Sequence, residues 1–221
     1  MPVKRESLLA ELQEVGRYMV ENDLAWGNAG NISARTGEES CLISASGTYL
    51  GDLEEGDIVE CSFSEDHSLL KKKPSKEVPM HRAIFEERLD VNAVLHASPF
   101  YSTLVACSNL DIPSNLFVET MYYLERIARV PYYHPGSMAL GEAVRQQAKN
   151  ANIILLENHG VLIYDTSIKE ARMGLHTLEM ACRMLITTSR DPVSLNFLSS
   201  KTEEHFLHHS GYKPRRKWNG L

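Results

Sequence analysis

Ile153-Ile-Leu-Leu-Glu-Asn-His-Gly-Val-Leu-Ile-Tyr164, continued by Asp165-Thr166-Ser167, is the stretch from which the architecture of this chain is read. Two β-type runs, 153–156 and 161–164, flank Glu157-Asn158-His159-Gly160, whose polar residues and glycine suit a tight turn. Ser167 and Glu170 then have the spacing of a capping box. The helix they open carries Ala171, Leu175, Leu178, Cys182 and Leu185 in one stripe, the pattern of a long helix lying on a sheet.

Working outward, Leu140, Val144 and Ala148 share one side of a helix predicted over 137–149, preceded by a strand near 127–132. Ser98-Pro99 pairs a favoured N-cap with a favoured first helical residue and opens a helix to about Ser108. A short apolar strand is expected over 91–95, and Ser75 is expected to cap a helix over 77–87. Runs at 31–34, 41–45 and 58–63, separated by Gly37, Gly47 and Gly51, read as a small meander. An opening amphipathic helix, 5–22, is predicted from Leu8, Leu12, Val15 and Met19 at helical spacing. Lys71 to Lys73 reads as a solvated loop, and past Asp191-Pro192 the pattern fades into a polar, partly basic tail.

The 221 residues, 43% hydrophobic and 24% charged, are expected to form one domain over 1–221 with that tail from about 191. No run of about 18 apolar residues occurs, and the N-terminus leads into an amphipathic segment rather than a signal-peptide core, so neither membrane nor secretion is expected. A formal net charge of -6 argues against a broad basic face for nucleic acid. The four cysteines, Cys41, Cys61, Cys107 and Cys182, lack any C-x-x-C pair and read as buried thiols in a reducing cytoplasm.

Three positions at element edges bear chemistry: Glu77 at a helix start, His96 at a strand end and His159 in a turn. Two imidazoles and a carboxylate suit a divalent metal with open coordination positions. With 9 histidines present, a hydrogen-bonded or solvated imidazole is the alternative reading of each. Gly30-Asn31, Ser46-Gly47 and Ser75 make a second group, able to cradle an anion with backbone and hydroxyl donors. Ordinary turn chemistry explains the same residues.

The segments GNAGNIS (27–33), SASGTYL (44–50), PSKEVPMH (74–81), AVLHAS (93–98) and LLENHG (155–160) occur in the order and spacing of the class II aldolase/adducin family. The chain resembles that family from about Arg5 to Arg190. The resemblance implies a three-layer α/β/α fold with a largely antiparallel central sheet, assembled as a homotetramer with sites between subunits. It implies one divalent metal per subunit, zinc first and Mn2+ or Fe2+ as alternatives, held by Glu77, His96 and His159. The aldolases' further histidine falls on Ser98, which is expected to cap the helix after it rather than ligate. Water, substrate or another histidine such as His134 then completes the site. The tyrosine that aldolases offer to the leaving aldehyde falls on Phe117, with Tyr122 or Tyr123 as candidate substitutes. Gly30, Asn31, Ser46, Gly47 and Ser75 match the family's phosphate loops, and Lys76 adds a cation where aldolases often have a second serine.

The function this resemblance implies is that of a cytoplasmic carbon-carbon lyase acting on a small phosphorylated ketose through an ene-diolate. Glu77 is its expected proton shuttle, with a pKa raised when it leaves the metal. Fuculose-phosphate-aldolase-like cleavage is placed first. Decarboxylation of a 3-oxo sugar-acid phosphate on the same site is the alternative, and a non-catalytic adducin-like binding module the further one.

Overall fold

The computed structural model describes residues 5–64, 70–190, 193–216 and 218. In chain order the elements are α1 (Arg5–Glu21), β1 (Asn31–Gly37), β2 (Ser40–Ser44), β3 (Ile58–Ser62), α2 (Val78–Glu87), β4 (Ala93–Ala97), α3 (Phe100–Ala106) and α4 (Val118–Tyr123). They continue with β5 (Ile127–Val130), α5 (Met138–Ala148), β6 (Ile153–Leu156), β7 (Gly160–Asp165), α6 (Ile168–Arg190) and α7 (Ser200–His209). The strands form one 7-stranded sheet in the order β3-β2-β1-β4-β7-β6-β5.

The meander and the hairpin at 153–164 fold as their patterns predict, with β1, β2 and β3 antiparallel and Leu156 opposite Gly160 across the β6–β7 turn. The sheet is mixed, which corrects the expectation of a largely antiparallel one: β5 pairs with β6 in parallel, Ile127 beside Ile153 and Val130 beside Leu156. The reason lies in the connection, since a strand, a helix and a second strand in succession return the chain in the same direction.

Alternate residues of the central strands enter two apolar clusters. Leu95, Leu155, Val161 and Ile163 join Leu12, Met19, Leu175 and Leu178 of α1 and α6. Val94, Ile154, Leu162 and Tyr164 face the other way and join Ile84 and Phe85 of α2 and Val144 of α5. This two-sided burial explains why β4, β6 and β7 read as continuous apolar runs. Complete burial of a residue such as Leu175 contributes about 1.5–3 kcal/mol.

Several local expectations need correction. Ser98 does not cap α3: the helix starts at Phe100 behind Pro99, and Ser98 Oγ donates to the His159 carbonyl at 3.3 Å. The cap is Glu179 of α6, whose carboxylate accepts from the backbone N–H groups of Tyr101 (2.9 Å) and Ser102 (2.7 Å). Glu179→Ala is therefore expected to cost about 2 kcal/mol in urea unfolding, and Ser98→Ala less than about 1 kcal/mol. Equal losses would show that the cap is misassigned.

Ser167 caps α6 by accepting from the Glu170 N–H, but the box is half formed, because the Glu170 carboxylate turns to Tyr123 and Lys213 instead. The helices α4 and α7 are additions to the elements that the sequence pattern predicts. Within the tail, Trp218 is buried, stacked by Arg88 and Arg126, and Arg216 pairs with Asp165, so these residues pack on the chain's own body. Cys41, Cys61 and Cys182 are buried as expected, whereas Cys107 is exposed. Among the described residues no helix is long and apolar enough to cross a membrane.

Candidate metal centre

Glu77 at the start of α2, His96 near the end of β4 and His159 in the β6–β7 turn converge at one end of the central strands. Glu77 is the residue before α2; the Ser75 N–H donates to the Ser44 carbonyl and Ser75 Oγ accepts from the Glu77 N–H, so the chain turns sharply into the helix. Ser75 thus acts two residues ahead of the N-cap position, which Glu77 occupies, instead of as the N-cap itself. His96 sits near the end of β4, opposite Asn31 on one side and Leu162 on the other. His159 is held in the β6–β7 turn by Asn158, whose φ of 55° is left-handed, and by Gly160. A Cβ at Gly160 would lie 2.6 Å from the Ala97 carbonyl, so only glycine lets the turn approach β4 this closely.

The candidate ligand atoms of the three residues all lie within 4.8 Å of one another. His96 Nε2 is 3.3 Å from Glu77 Oε2, and His159 Nε2 is 3.2 Å from Oε1. Neither contact has hydrogen-bond alignment, and Glu77 Oε1 is buried without a partner. His96 Nδ1 lies 3.1 Å from the Val161 carbonyl, which accepts only, so Nδ1 carries the proton. Burial lowers the His96 pKa and keeps the ring neutral, outweighing the attraction of Glu77. The Nε2 lone pair therefore faces a carboxylate, two acceptors without a donor between them. A cation resolves that conflict, and two imidazoles with one carboxylate are a fitting donor set.

Burial alone pushes the Glu77 carboxyl up, but His159 and His96, which are protonated in the acid range where it titrates, and the Asn31 amide outweigh that burial and hold it down at about 2. The raised pKa expected for a displaced Glu77 is not the condition of the residue in this arrangement, where the carboxyl is held ionised.

The three residues line a cleft of about 440 Å³ together with Gly30, Asn31, Ser46, Gly47, Ser75, Lys76 and Ser98. Gly30 has a φ of 91°, and a Cβ there would meet the His96 carbonyl at 2.7 Å. Lys76 is exposed and forms no ion pair among the described residues. The Ser46 N–H is engaged by the Lys73 carbonyl, and the Asn31 carboxamide is engaged by Glu77 and His81. His134 is exposed and is not among the residues lining the cleft, although the adjacent Pro135 is. Phe117 packs on the core, and Tyr122 and Tyr123 are buried, their hydroxyls donating to the Pro214 carbonyl and to Glu170.

Residues that sequence reasoning missed are His81 and Ser33, which extend the hydrogen bonding behind Asn31, and Trp26, which lines the cleft and donates to the Ser98 carbonyl at 3.1 Å. The available signal for His81 was its place four residues after Glu77, one turn along the same helix.

The fold and cleft define an α/β protein with a candidate mononuclear metal site in a cleft lined by glycine- and serine-bearing loops. Residues 10–186 match the Class II Aldolase and Adducin N-terminal domain, and the chain belongs to that family. It is 30% identical to the 3-oxo-tetronate 4-phosphate decarboxylase of Haemophilus influenzae, over 79% of this chain and 84% of that one. It is also 30% identical to the L-fuculose phosphate aldolase of Methanocaldococcus jannaschii, over 78% and 92% respectively. Among solved structures, YgbL from Klebsiella pneumoniae superposes with a TM-score of 0.79 at 25% identity, over 92% of this chain and 99% of that one.

Proposed function

We propose that this protein is a divalent-metal-dependent carbon-carbon lyase of a small phosphorylated sugar or sugar acid, and that it decarboxylates a 3-oxo sugar-acid phosphate. The observation that carries the reading is the convergence of Glu77, His96 and His159 in the cleft that Gly47, Ser75 and Lys76 also line. Glu77, His96 and His159 would hold a divalent cation, zinc first, and that cation would supply Lewis acidity for negative charge developing on the substrate oxygens. Glu77, the one carboxylate of the three converging residues, would carry the proton at the substrate carbon. Lys76 and the glycine and serine loops hold the anionic groups and orient the chain of the substrate.

Decarboxylation is favoured over aldol cleavage by the tyrosines. An aldolase must move a proton at the leaving aldehyde oxygen, but Phe117 has no hydroxyl and those of Tyr122 and Tyr123 are bound elsewhere. Carbon dioxide leaves without a proton. Fuculose-phosphate-type cleavage is the second reading, supported by the aldolase relatives. A binding module without turnover has no need of a converged donor set.

The two-sided helix packing supports a three-layer α/β/α arrangement in one domain. Trp26, Phe100 and Met180, 66%, 70% and 48% exposed around a second cavity beside the cleft, suit an interface between copies of this chain, and the cytoplasmic homotetramer is carried by the family resemblance.

The test is to load purified protein with Zn2+ or Mn2+ and offer 3-oxo-tetronate 4-phosphate and L-fuculose 1-phosphate separately. Metal-dependent carbon dioxide release, abolished by EDTA, is expected from the first. Faster aldehyde release from the second would replace this reading with the aldolase one, and inertness toward both would favour the binding module.

A further inference from the structure

We infer that His81 is a positioning residue for Glu77, acting through Asn31. His81 is wholly buried on α2, and both ring nitrogens are engaged: Nδ1 with Ser33 Oγ at 2.7 Å and Nε2 with Asn31 Oδ1 at 2.5 Å. Asn31 Nδ2 in turn donates to Glu77 Oε2 at 2.8 Å. The proton positions are fixed from the carboxylate end. An ionised carboxylate only accepts, so Asn31 turns its NH2 toward Glu77 and its carbonyl toward His81. That carbonyl also only accepts, so His81 carries its proton on Nε2. The Nδ1 of the neutral ring is then a lone pair, and Ser33 donates to it. Three hydrogen bonds run one way, from Ser33 to Glu77.

The direction matters because an asparagine amide has two orientations that exchange oxygen and nitrogen. In the wrong one, Oδ1 would face Oε2 of Glu77 and repel it. The His81 N–H decides between them, since it stabilises only the orientation that presents NH2 to the carboxylate. Asn31 also belongs to β1, directly opposite His96 in β4. Locking its amide therefore holds the carboxylate of a helix-borne residue in register with a strand-borne imidazole. With His96 Nε2 and His159 Nε2 at 3.3 and 3.2 Å from the two carboxylate oxygens, a modest rotation of Glu77 would separate the three donors.

A histidine kept only for packing does not need this connection. Ser33 and His81 are fully buried, and Asn31 and Glu77 nearly so. A buried polar chain is costly unless every member is satisfied. An apolar side chain at 81 would fill the space but leave the Asn31 carbonyl without its donor.

The inference rests on Glu77, His96 and His159 being a cation site, and its test separates the two ideas. Wild type, His81→Gln and His81→Asn are titrated with Co2+, reading the visible cobalt spectrum and the Kd by chelator competition. Glutamine places an NH2 where Nε2 stands and is expected to bind within about threefold of wild type; asparagine, one methylene shorter, reaches Ser33 but not Asn31 and is expected to bind roughly tenfold more weakly with an altered spectrum. Urea unfolding of the metal-free proteins shows that the two variants are comparably folded. Equal cobalt affinity and spectra for the two variants would overturn the proposal. Long-range 1H–15N NMR of metal-free wild type gives a reading that needs no cation. The Nε2–H tautomer of His81 is expected, and the Nδ1–H tautomer or rapid exchange between them overturns the hydrogen-bond chain. A wild type that takes up no cobalt removes the cation reading, and the tautomer alone then decides whether His81 orients Asn31.

Discussion

His96→Asn is expected to lose the divalent cation and about 10³-fold in turnover while remaining folded, because Lewis-acid stabilisation is worth several kcal/mol and each 1.36 kcal/mol is tenfold in rate. The geometry dictates the choice of asparagine. Its amide nitrogen falls near the place of Nδ1 and retains the hydrogen bond to the Val161 carbonyl, which is 3.1 Å from the wild-type ring. The substitution removes Nε2, the atom facing Glu77. Two donors would remain, and Ser98 offers no imidazole to replace the third. Metal content after dialysis, steady-state rates with added Mn2+ or Zn2+, and a urea curve check the prediction together. A folded variant with full metal content and wild-type turnover would show that His96 is not part of the centre.

Arg216→Ala is expected to destabilise the protein by about 3–5 kcal/mol without changing metal content. The Arg216 guanidinium pairs with Asp165 at the end of β7, with both side chains at least nine-tenths buried, and it also donates to the Tyr122 carbonyl and stacks on the Tyr122 ring at 4.0 Å. Removing it leaves the Asp165 carboxylate buried with only the Thr166 N–H as its remaining hydrogen-bond donor among the described residues. Asp165→Asn combined with Arg216→Ala should recover part of the loss, since no uncompensated charge then remains. Urea midpoints of the single and double variants decide it; a loss within about 0.5 kcal/mol for Arg216→Ala, the range of an ordinary surface substitution, would mean the tail does not hold the body in solution.

Much of this architecture is legible in the sequence because it depends on neighbours a few residues apart. The stripe at Ala171, Leu175, Leu178 and Cys182, wholly buried in the fold, obeys helical period, and the hairpin around His159 obeys the pattern of two apolar runs broken by polar residues and glycine. The convergence of Glu77, His96 and His159 is suggested by their places at element edges and by the family resemblance, not by spacing, since 19 and 63 residues separate the successive members. The parallel pairing of β5 with β6 is implicit in the strand, helix and strand predicted there, although the family resemblance pointed to a largely antiparallel sheet.

Polar partner choice behaves differently. Ser98 satisfies every local rule for a helix cap, yet its hydroxyl turns to a carbonyl 61 residues away while the carboxylate of Glu179, 77 residues beyond Ser102, caps the helix. Glu170 has the spacing of a capping box but meets Tyr123 and Lys213. His81 looks like an ordinary core residue on a helix face until Ser33 and Asn31 close on its two nitrogens. The basic tail, polar by composition, buries Trp218 and Arg216 against the body. Hydrophobic burial is non-directional and depends on which face a residue occupies, so periodicity suffices to foresee it. Hydrogen bonds and ion pairs need one atom at about 3 Å in one direction, and only the assembled chain brings that atom into place.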